Sequence, residues 1–362
     1  MQIVPYNKSQ LNELINSEFF KSLIKIPISY QRALSQINNP YCSEDDILLW
    51  AAYENASLVG YIGALPDLIT LNGSENKIYW VSCFWVSDKQ RTQNLASQLF
   101  FLILKNYRER LLFSNFLFSL EKTYQSLGVF KPTQYIKGVT LYRNLCFAPI
   151  IEARYPELEE YIPFYRSTEK FLNKALKIRD IFVRNFRAKY RIEDSKVFDD
   201  EFKAFLKNYQ ESHPEIVVRD AEHFDWIISY PWILTKISEQ EDDRYYFSSK
   251  SSKFEYLSVK FYNHDKLEGF LFLNIRDKDL SVYYVYAENE LINCISNYIS
   301  VISKKYNFDK INCFEPRLTE ALSRKRNGYI YKKKSKRPYI LPRNFEINAS
   351  VFQDGDGDAV FT

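Results

Sequence analysis

Residues Ile78–Asn106 read IYWVSCFWVSDKQRTQNLASQLFFLILKN, and three textures follow one another within them. Ile78–Val86 is an apolar run rich in β-branched and aromatic residues, which predicts a strand. Ser87–Asn94 is a polar turn. Leu95–Asn106 is mostly apolar at helical spacing. A strand feeding a polar turn and then a helix aims several backbone N–H groups at one place, a ready receptor for phosphate. A second apolar run, Leu111–Leu117, follows, and then Glu121–Val129 (EKTYQSLGV), which sets the Tyr124 phenol beside a turn. The pattern predicts a site for a phosphorylated cofactor with an acid beside it.

Upstream of this stretch, Ile3–Tyr6 reads as a short strand and Ser9–Leu23 as a helix with Ser9 as N-cap. Ile47–Tyr53 and Leu58–Leu65 flank the turn Glu54–Ser57 as a hairpin. Asn72-Gly73, between Ile69–Leu71 and Ile78–Val86, marks another. Downstream the same order returns. Helices are expected at Phe202–Tyr209 and Ala221–Leu234, and strands at Tyr256–Tyr262, Gly269–Arg276 and Leu280–Tyr286. Then come a helix at Leu291–Lys304, a strand at Lys310–Phe314, a helix at Leu318–Arg326, and final strands at Tyr329–Lys333 and Pro338–Leu341. A repeat of so long a period indicates duplicated domains rather than a solenoid. The fold class is α/β (α+β), with two domains, each a mixed, mostly antiparallel twisted sheet flanked by helices. The expected division is 1–145, a connector 146–189 containing the acidic segment Pro149–Pro163 and a basic helix at Glu169–Tyr190, a second domain 190–343, and an acidic tail 344–362.

This order of parts resembles the GNAT family of acyl-CoA N-acyltransferases. There a Gln/Arg-x-x-Gly-x-Gly/Ala loop wraps the pyrophosphate of acetyl-CoA, and the Tyr of a downstream Tyr-x-x-Leu-Gly-Phe segment protonates the departing thiolate. Here the loop runs Gln90-Arg91-Thr92-Gln93-Asn94-Leu95-Ala96. Arg91 and Ala96 match, while Thr92 and Asn94 stand where the family has glycine. Tyr124, Leu127 and Gly128 match the second motif, with Val129 for Phe. The resemblance spans most of the chain as architecture and Ile78–Gly128 as motif. It implies a tandem GNAT-like protein that moves an acetyl or other acyl group from acyl-CoA to a small-molecule or peptide amine. By that resemblance, N–H groups near Trp85 and Val86 hold the carbonyl oxygen. Arg91, Thr92, Gln93, Asn94, Leu95 and Ala96 line the pyrophosphate, and Tyr124 is the acid. Asn tolerates left-handed backbone angles better than most residues. The plain alternative is an ordinary strand-to-helix turn with Asn94 as N-cap. The corresponding turn of the second domain, Ala287–Glu290 (AENE), carries two carboxylates that satisfy the helix dipole themselves and repel a pyrophosphate. The second copy therefore reads as degenerate. Two other readings stay open: a tRNA-dependent aminoacyl or peptidoglycan-type transferase with paired GNAT-like domains, and a non-catalytic ligand- or partner-binding protein of the same fold.

The rest of the composition bounds these readings. The chain has 362 residues and a formal charge of +4, too mild to demand nucleic acid as partner. Lys170–Arg191 and Arg324–Arg337 are locally basic, which fits polyanions or simply a solvated helix face and a charged hairpin. The 28 Tyr and 28 Phe point to aromatic cores whose hydroxyls reach polar edges. Five scattered cysteines form no metal-ligand spacing, and Cys83, Cys294 and Cys313 read as small core residues. No metal is expected. His213, His223 and His264 lack partners at ligand spacing, and His223 reads as part of a solvated helix start. No general base stands out. Glu54, Asp67 and Glu121 are carboxylates of the right half, and Ser82 and Cys83 are polar groups on the strand before the loop. Asp354-Gly-Asp-Gly-Asp358 alternates carboxylates as calcium loops do but lacks the closing glutamate. It reads as a flexible or edge-docked acidic terminus, with the basic Arg324–Arg337 segment as a docking surface. Without a signal pattern or spanning run, the expected location is cytoplasmic.

Overall fold

The structure is a computed structural model that describes residues 1–71, 74–90, 94–114, 116, 120–178, 189–235, 244–324 and 328–361. It contains two compact units. One is made of Met1–Ile136, Val197–Phe254 and Arg337–Thr362, the other of Lys137–Lys196 and Glu255–Lys336. The segments thus interleave along the chain, where the sequence placed breaks after 145 and 189.

In the first unit, β1 (Gln2–Asn7), β2 (Ile47–Glu54), β3 (Ser57–Leu71) and β4 (Ser74–Val86) form an antiparallel meander. β5 (Leu111–Ser114) adds in parallel to β4. Both faces of β2 are buried, which is why it reads as a continuous apolar run. Leu49, Ala51 and Tyr53 join one core with α1 (Lys8–Asn16) and α3 (Tyr30–Ile37). Trp50 and Ala52 join the opposite core with α4 (Leu95–Tyr107). The apolar runs Leu58–Leu65 and Ile69–Leu71 are one strand, β3, that passes through Pro66. Pairing with β2 ends at Gly63, so beyond it β3 is laddered to β4 alone and tolerates a residue without an N–H. The first helix is capped by Asn7, not Ser9. Asn7 and Gln10 bond reciprocally as a capping box, and Ser17 starts a separate helix, α2 (Glu18–Ser22). The short α5 (Glu121–Ser126) carries Tyr124, and α8 (Asp200–Ser212) and α9 (Ala221–Ser229) belong to the same unit.

The second unit repeats the order. β8 (Phe254–Asn263), β9 (Lys266–Arg276) and β10 (Asp279–Ala287) lead into α10 (Asn289–Lys305), then β11 (Lys310–Cys313), parallel to β10, and α11 (Pro316–Arg324). β7 (Arg191–Asp194) pairs antiparallel with β8. One core of Leu257, Leu271, Leu273, Ile295, Ile299 and their neighbours fills it. The last strand of each order crosses over in sequence. β11 is paired by β6 (Gln134–Tyr142), through Val139–Tyr142, and β5 is paired by Tyr339 and Ile340 of β12 (Tyr331–Ile340). The separate runs expected at Tyr329–Lys333 and Pro338–Leu341 are thus one strand.

Three expectations are corrected. Pro149–Pro163 is folded, as α6 (Ala148–Arg154), a 3-10 turn (Pro156–Tyr161) and the start of α7 (Ile162–Leu176). Both prolines sit in the first turn of a helix, where a missing N–H costs nothing. The expected helix Glu169–Tyr190 therefore begins earlier; its later part lies outside the described residues. The acidic terminus is a packed element of the first unit. Asp354, Asp356, Val360 and Phe361 are buried, and the Phe361 ring stacks on Trp232 at 4.7 Å. Arg337 Nη2 forms an ion pair with Asp354 at 2.8 Å, so the docking cation belongs to the basic segment named above. His223 is buried against Tyr41, with its pKa well below the usual histidine value because burial disfavours the cation.

Candidate functional site

The site of the first unit is built at the C-terminal end of β4. Parallel pairing with β5 stops at Trp80 and Leu112, whereas β4 runs on to Val86. Among the described residues Val81–Val86 therefore have no ladder to β5. Backbone groups on that edge need water or a ligand. The register against β3 also slips there. Ser82 faces Gly63 and Trp85 faces Tyr61, so two residues of β4 oppose Ile62. This is a β-bulge, and Cys83 takes it up with φ +55°. A positive φ inside a strand is costly for a side-chain-bearing residue, and bulges of this kind re-aim side chains beside active sites.

The loop between β4 and α4 contains Arg91, Thr92 and Gln93, which lie outside the described residues. Its two ends are described. Gln90 is buried and donates to Glu54 at 3.0 Å. Asn94 is the N-cap of α4, as the plain reading has it, but it adopts φ 59°, ψ 13° and its side chain makes no cap bond. It occupies the left-handed position where the GNAT pattern has glycine. With no side-chain cap, the first-turn amides of α4 remain suited to an anion. Leu95 is fully buried, and Gly60 explains how. A Cβ there would stand 3.0 Å from Leu95 Cδ2, so the glycine admits α4 close to the sheet. Ala96 packs at the edge of the same core. Val86 is buried, while Trp85 is half-buried against Tyr61 and Tyr246, with Lys25 Nζ 5.2 Å from its ring.

Tyr124 lies among Phe113 (4.9 Å), Phe100 (5.2 Å) and Phe116 (5.9 Å). Phe100 belongs to α4 and Phe113 to β5, so the phenol sits in the core between those two elements. Burial pushes it up to about 12, and it keeps its proton at neutral pH.

On the opposite face of β4 the structure gathers Ser82 and Cys83, named above as polar groups of the strand, with Asp358 of the alternating carboxylate tail and with Arg32, which no sequence motif marked. Ser82 Oγ donates to Asp358 Oδ2 at 2.9 Å. Burial raises the Asp358 carboxyl above its usual range, against the Ser82 hydrogen bond and the Arg32 charge. Arg32 of α3 is buried, donates to Cys83 Sγ at 2.7 Å and to Phe247 O at 3.3 Å, and lies over Trp232 at 4.4 Å. Cys83 is thus a half-buried partner of a guanidinium rather than a small core residue; Cys294 and Cys313 are buried as expected. The carboxylates of the right half fall elsewhere. Asp67 is fixed in a buried network with Arg219 (2.7 Å), Trp80 (2.8 Å) and, through Arg219, Asp356 (2.7 Å). Glu54 accepts from Gln90, and Glu121 accepts from exposed Tyr135. Arg32 carried no local signal, and the alternating carboxylates that marked Asp358 did not reveal Ser82 as its partner, because both residues lie far from β4 along the chain.

The second unit shows the same construction around β10. β10 bulges between Val282 and Tyr284, and Gly269 faces Ala287 and Leu291 as Gly60 faces Val86 and Leu95. Arg317 Nη1 donates to Ala287 O (2.9 Å) and Asn289 Oδ1 (3.2 Å) across the turn, and Glu290 occupies the first turn of α10.

Solved structures share this fold. A probable N-acyltransferase of Enterococcus faecalis V583 superposes over 94% of this chain and 71% of its own, with TM-score 0.52 and 10% identity. A GCN5-related N-acetyltransferase of Anabaena variabilis gives 94% and 71%, TM-score 0.51 and 9% identity. One from Kribbella flavida gives 93% and 70%, TM-score 0.50 and 11% identity. The fold is that of the GNAT superfamily. No family model and no curated protein matches the sequence itself. Among the described residues no cluster of His, Cys, Asp and Glu could hold a metal, and no helix is long and apolar enough to cross a membrane.

Proposed function

We propose that the first unit binds an acyl-CoA and transfers its acyl group to an amine, with the second unit a degenerate copy. The observation that carries this reading is the open, bulged end of β4 running into an uncapped helix whose entry residue, Asn94, is left-handed. The α4 amides and the Arg91–Ala96 loop hold the pyrophosphate, and N–H groups near Trp85 and Val86 polarise the carbonyl. Tyr124 supplies the proton to the departing thiolate. Asp358, raised by burial and held by Ser82, takes the proton of the attacking amine. The expected division 1–145, 146–189, 190–343 and 344–362 is retained only in this functional sense, since Asp358 of the last segment serves the first. Acetyl-CoA is the simplest donor, a small-molecule or peptide amine the acceptor, and a cytoplasmic setting suits both.

Thermal unfolding with and without acetyl-CoA and longer acyl-CoAs tests binding. A species at ~100-fold its dissociation constant stabilises by about 2.7 kcal/mol. Asn94→Asp is expected to abolish that response. Tyr124→Phe and Asp358→Asn are expected to keep it and to lower kcat by roughly 10²–10⁴-fold. No response to any CoA species sinks the proposal.

A second reading has its own support. In the second unit, Lys170, Lys174, Lys177, Arg166 and Lys278 line a cavity of about 760 Å³. Its carboxylates, Glu169 and Asp309, are already bonded to Ala148 N and Asn144. A polyanion such as charged tRNA fits that surface, and salt-sensitive tRNA binding without a CoA response favours it.

A further inference from the structure

We propose that Arg32 holds a carboxylate of the acyl acceptor, and that the acceptor is a free α-amino acid. This rests on the transferase reading above and narrows its acceptor. Arg32 is 6% exposed, and its guanidinium lies over Trp232 at 4.4 Å and Tyr245 at 5.1 Å. A guanidinium has five N–H donors. One goes to Cys83 Sγ at 2.7 Å and one to Phe247 O at 3.3 Å. The other three have no acceptor among the described residues, and no carboxylate there forms an ion pair with Arg32. Arg219 shows the contrast: the same unit gives that buried arginine two carboxylates, Asp67 and Asp356. Trp232 Nε1 is a further buried donor with no acceptor among the described residues. Buried donors left over at a positive charge cost free energy until something accepts from them. A planar carboxylate matches the guanidinium fork.

The surroundings favour a zwitterion over a bare anion. Contacts lead from Arg32 to Cys83 Sγ, on to Ser82 Oγ at 3.4 Å, and on to Asp358 Oδ2 at 2.9 Å. That path is short enough for one small molecule to set its carboxylate on Arg32 and its amine on Asp358. An α-amino acid carries both groups on one carbon. A phosphate dianion at Arg32 would be repelled by Asp358. Cys83, Trp85 and Phe247 are half-buried and Tyr246 is exposed, so the site reaches solvent on that side. The neutral amine nitrogen attacks the thioester carbonyl, and the C–N bond forms as the C–S bond breaks. The amine proton passes to Asp358, Tyr124 protonates the sulfur, and an N-acyl amino acid leaves.

Thermal unfolding of the full chain with each standard L-amino acid at ~10 mM finds the best binder. Titration calorimetry then compares that amino acid with its own carboxamide, which keeps the amine and the side chain but not the negative charge. The acid is expected to bind roughly 10- to 100-fold more tightly. Arg32→Met, whose flexible side chain fits between two rings, is expected to shrink that preference to about twofold or less. The comparison of acid with amide needs no variant, so it decides even where Arg32→Met does not fold. Binding of an amino acid through Arg32 without any response to CoA supports the site and ends the transferase reading. A response to acetyl-CoA with no amino acid bound overturns the proposal. Equal binding of acid and amide, or a preference that survives Arg32→Met, does the same.

Discussion

Arg219 carries the largest single electrostatic commitment in the first unit. It is fully buried, bonds Asp67 through two nitrogens and Asp356 through two, and also donates to Leu68 O. Removing one member of such a set strands buried charge, which costs more than the set itself contributes. Arg219→Met is expected to destabilise the first unit by about 3–5 kcal/mol in chemical denaturation. Adding Asp67→Asn and Asp356→Asn should recover part of the loss. Asp354 gives a second prediction with a definite sign. Burial pushes its carboxyl up to about 6, against the attraction of Arg337. A carboxyl raised in the folded state binds its proton more tightly there than in the unfolded chain. Its contribution is full below an unfolded value of ~3.9 and is lost as pH rises through the folded one. Asp354→Asn should therefore flatten the fall in stability between pH ~4 and ~6 by about 2 kcal/mol, read from denaturation midpoints across that range. The Arg219 network was not legible locally, because its partners are distant in sequence; the terminus read as flexible or docked on Arg324–Arg337, and Arg337 does meet Asp354.

At the scale of elements, periodicity and turn chemistry carried most of the reading. Strands β2 to β4, β8 to β11 and helices α4 and α10 fall where alternation, apolar runs and helical spacing put them. The misses have specific causes. Ser9 lost the cap to Asn7 because Gln10 completes a capping box from that position. Pro149 and Pro163 suggested a connector, but proline in the first turn of a helix is compatible with it. Only Glu169–Leu176 of the expected helix coincides with α7; apolar side chains of that helix such as Phe164 and Phe171 are exposed, and a sequence cannot say which stripe a neighbour covers. Close approach is likewise invisible in one dimension. A Cβ at Gly138 of β6 would stand 2.5 Å from Cys313 O and 2.4 Å from Phe314 Cδ1. The backbone oxygen cannot rotate away. Gly138→Ala is expected to cost about 1–3 kcal/mol by forcing β6 and β11 apart, with faster amide exchange in Val139–Leu141 as the readout. At Gly60 the nearest atom is a leucine methyl at 3.0 Å, and the same change should cost less.

At the scale of the whole molecule, the C-terminal segment is the element most unlike its sequence. It supplies Asp356 to Arg219, Asp358 to Ser82 and Phe361 to Trp226 and Trp232, and Gly357 lies against the Trp80 ring with φ +76°. Removal of residues 354–362 is expected to lower the stability of the first unit by several kcal/mol, since it uncovers apolar surface and halves the Arg219 network. Hydrogen exchange should show the loss in β3 and β4. The sequence by itself determined the element types and their doubled order, because these rest on periodicity and turn residues within a few residues of one another. Only the tertiary structure decided the bulge at Cys83, the left-handed Asn94, the approach of Arg32 and Asp358 to β4, and the exchange of β6 and β12 in the chain order. Those depend on which distant segments share a strand edge or a core, and free energy of that kind is settled by burial and hydrogen-bond satisfaction across the fold rather than along the chain.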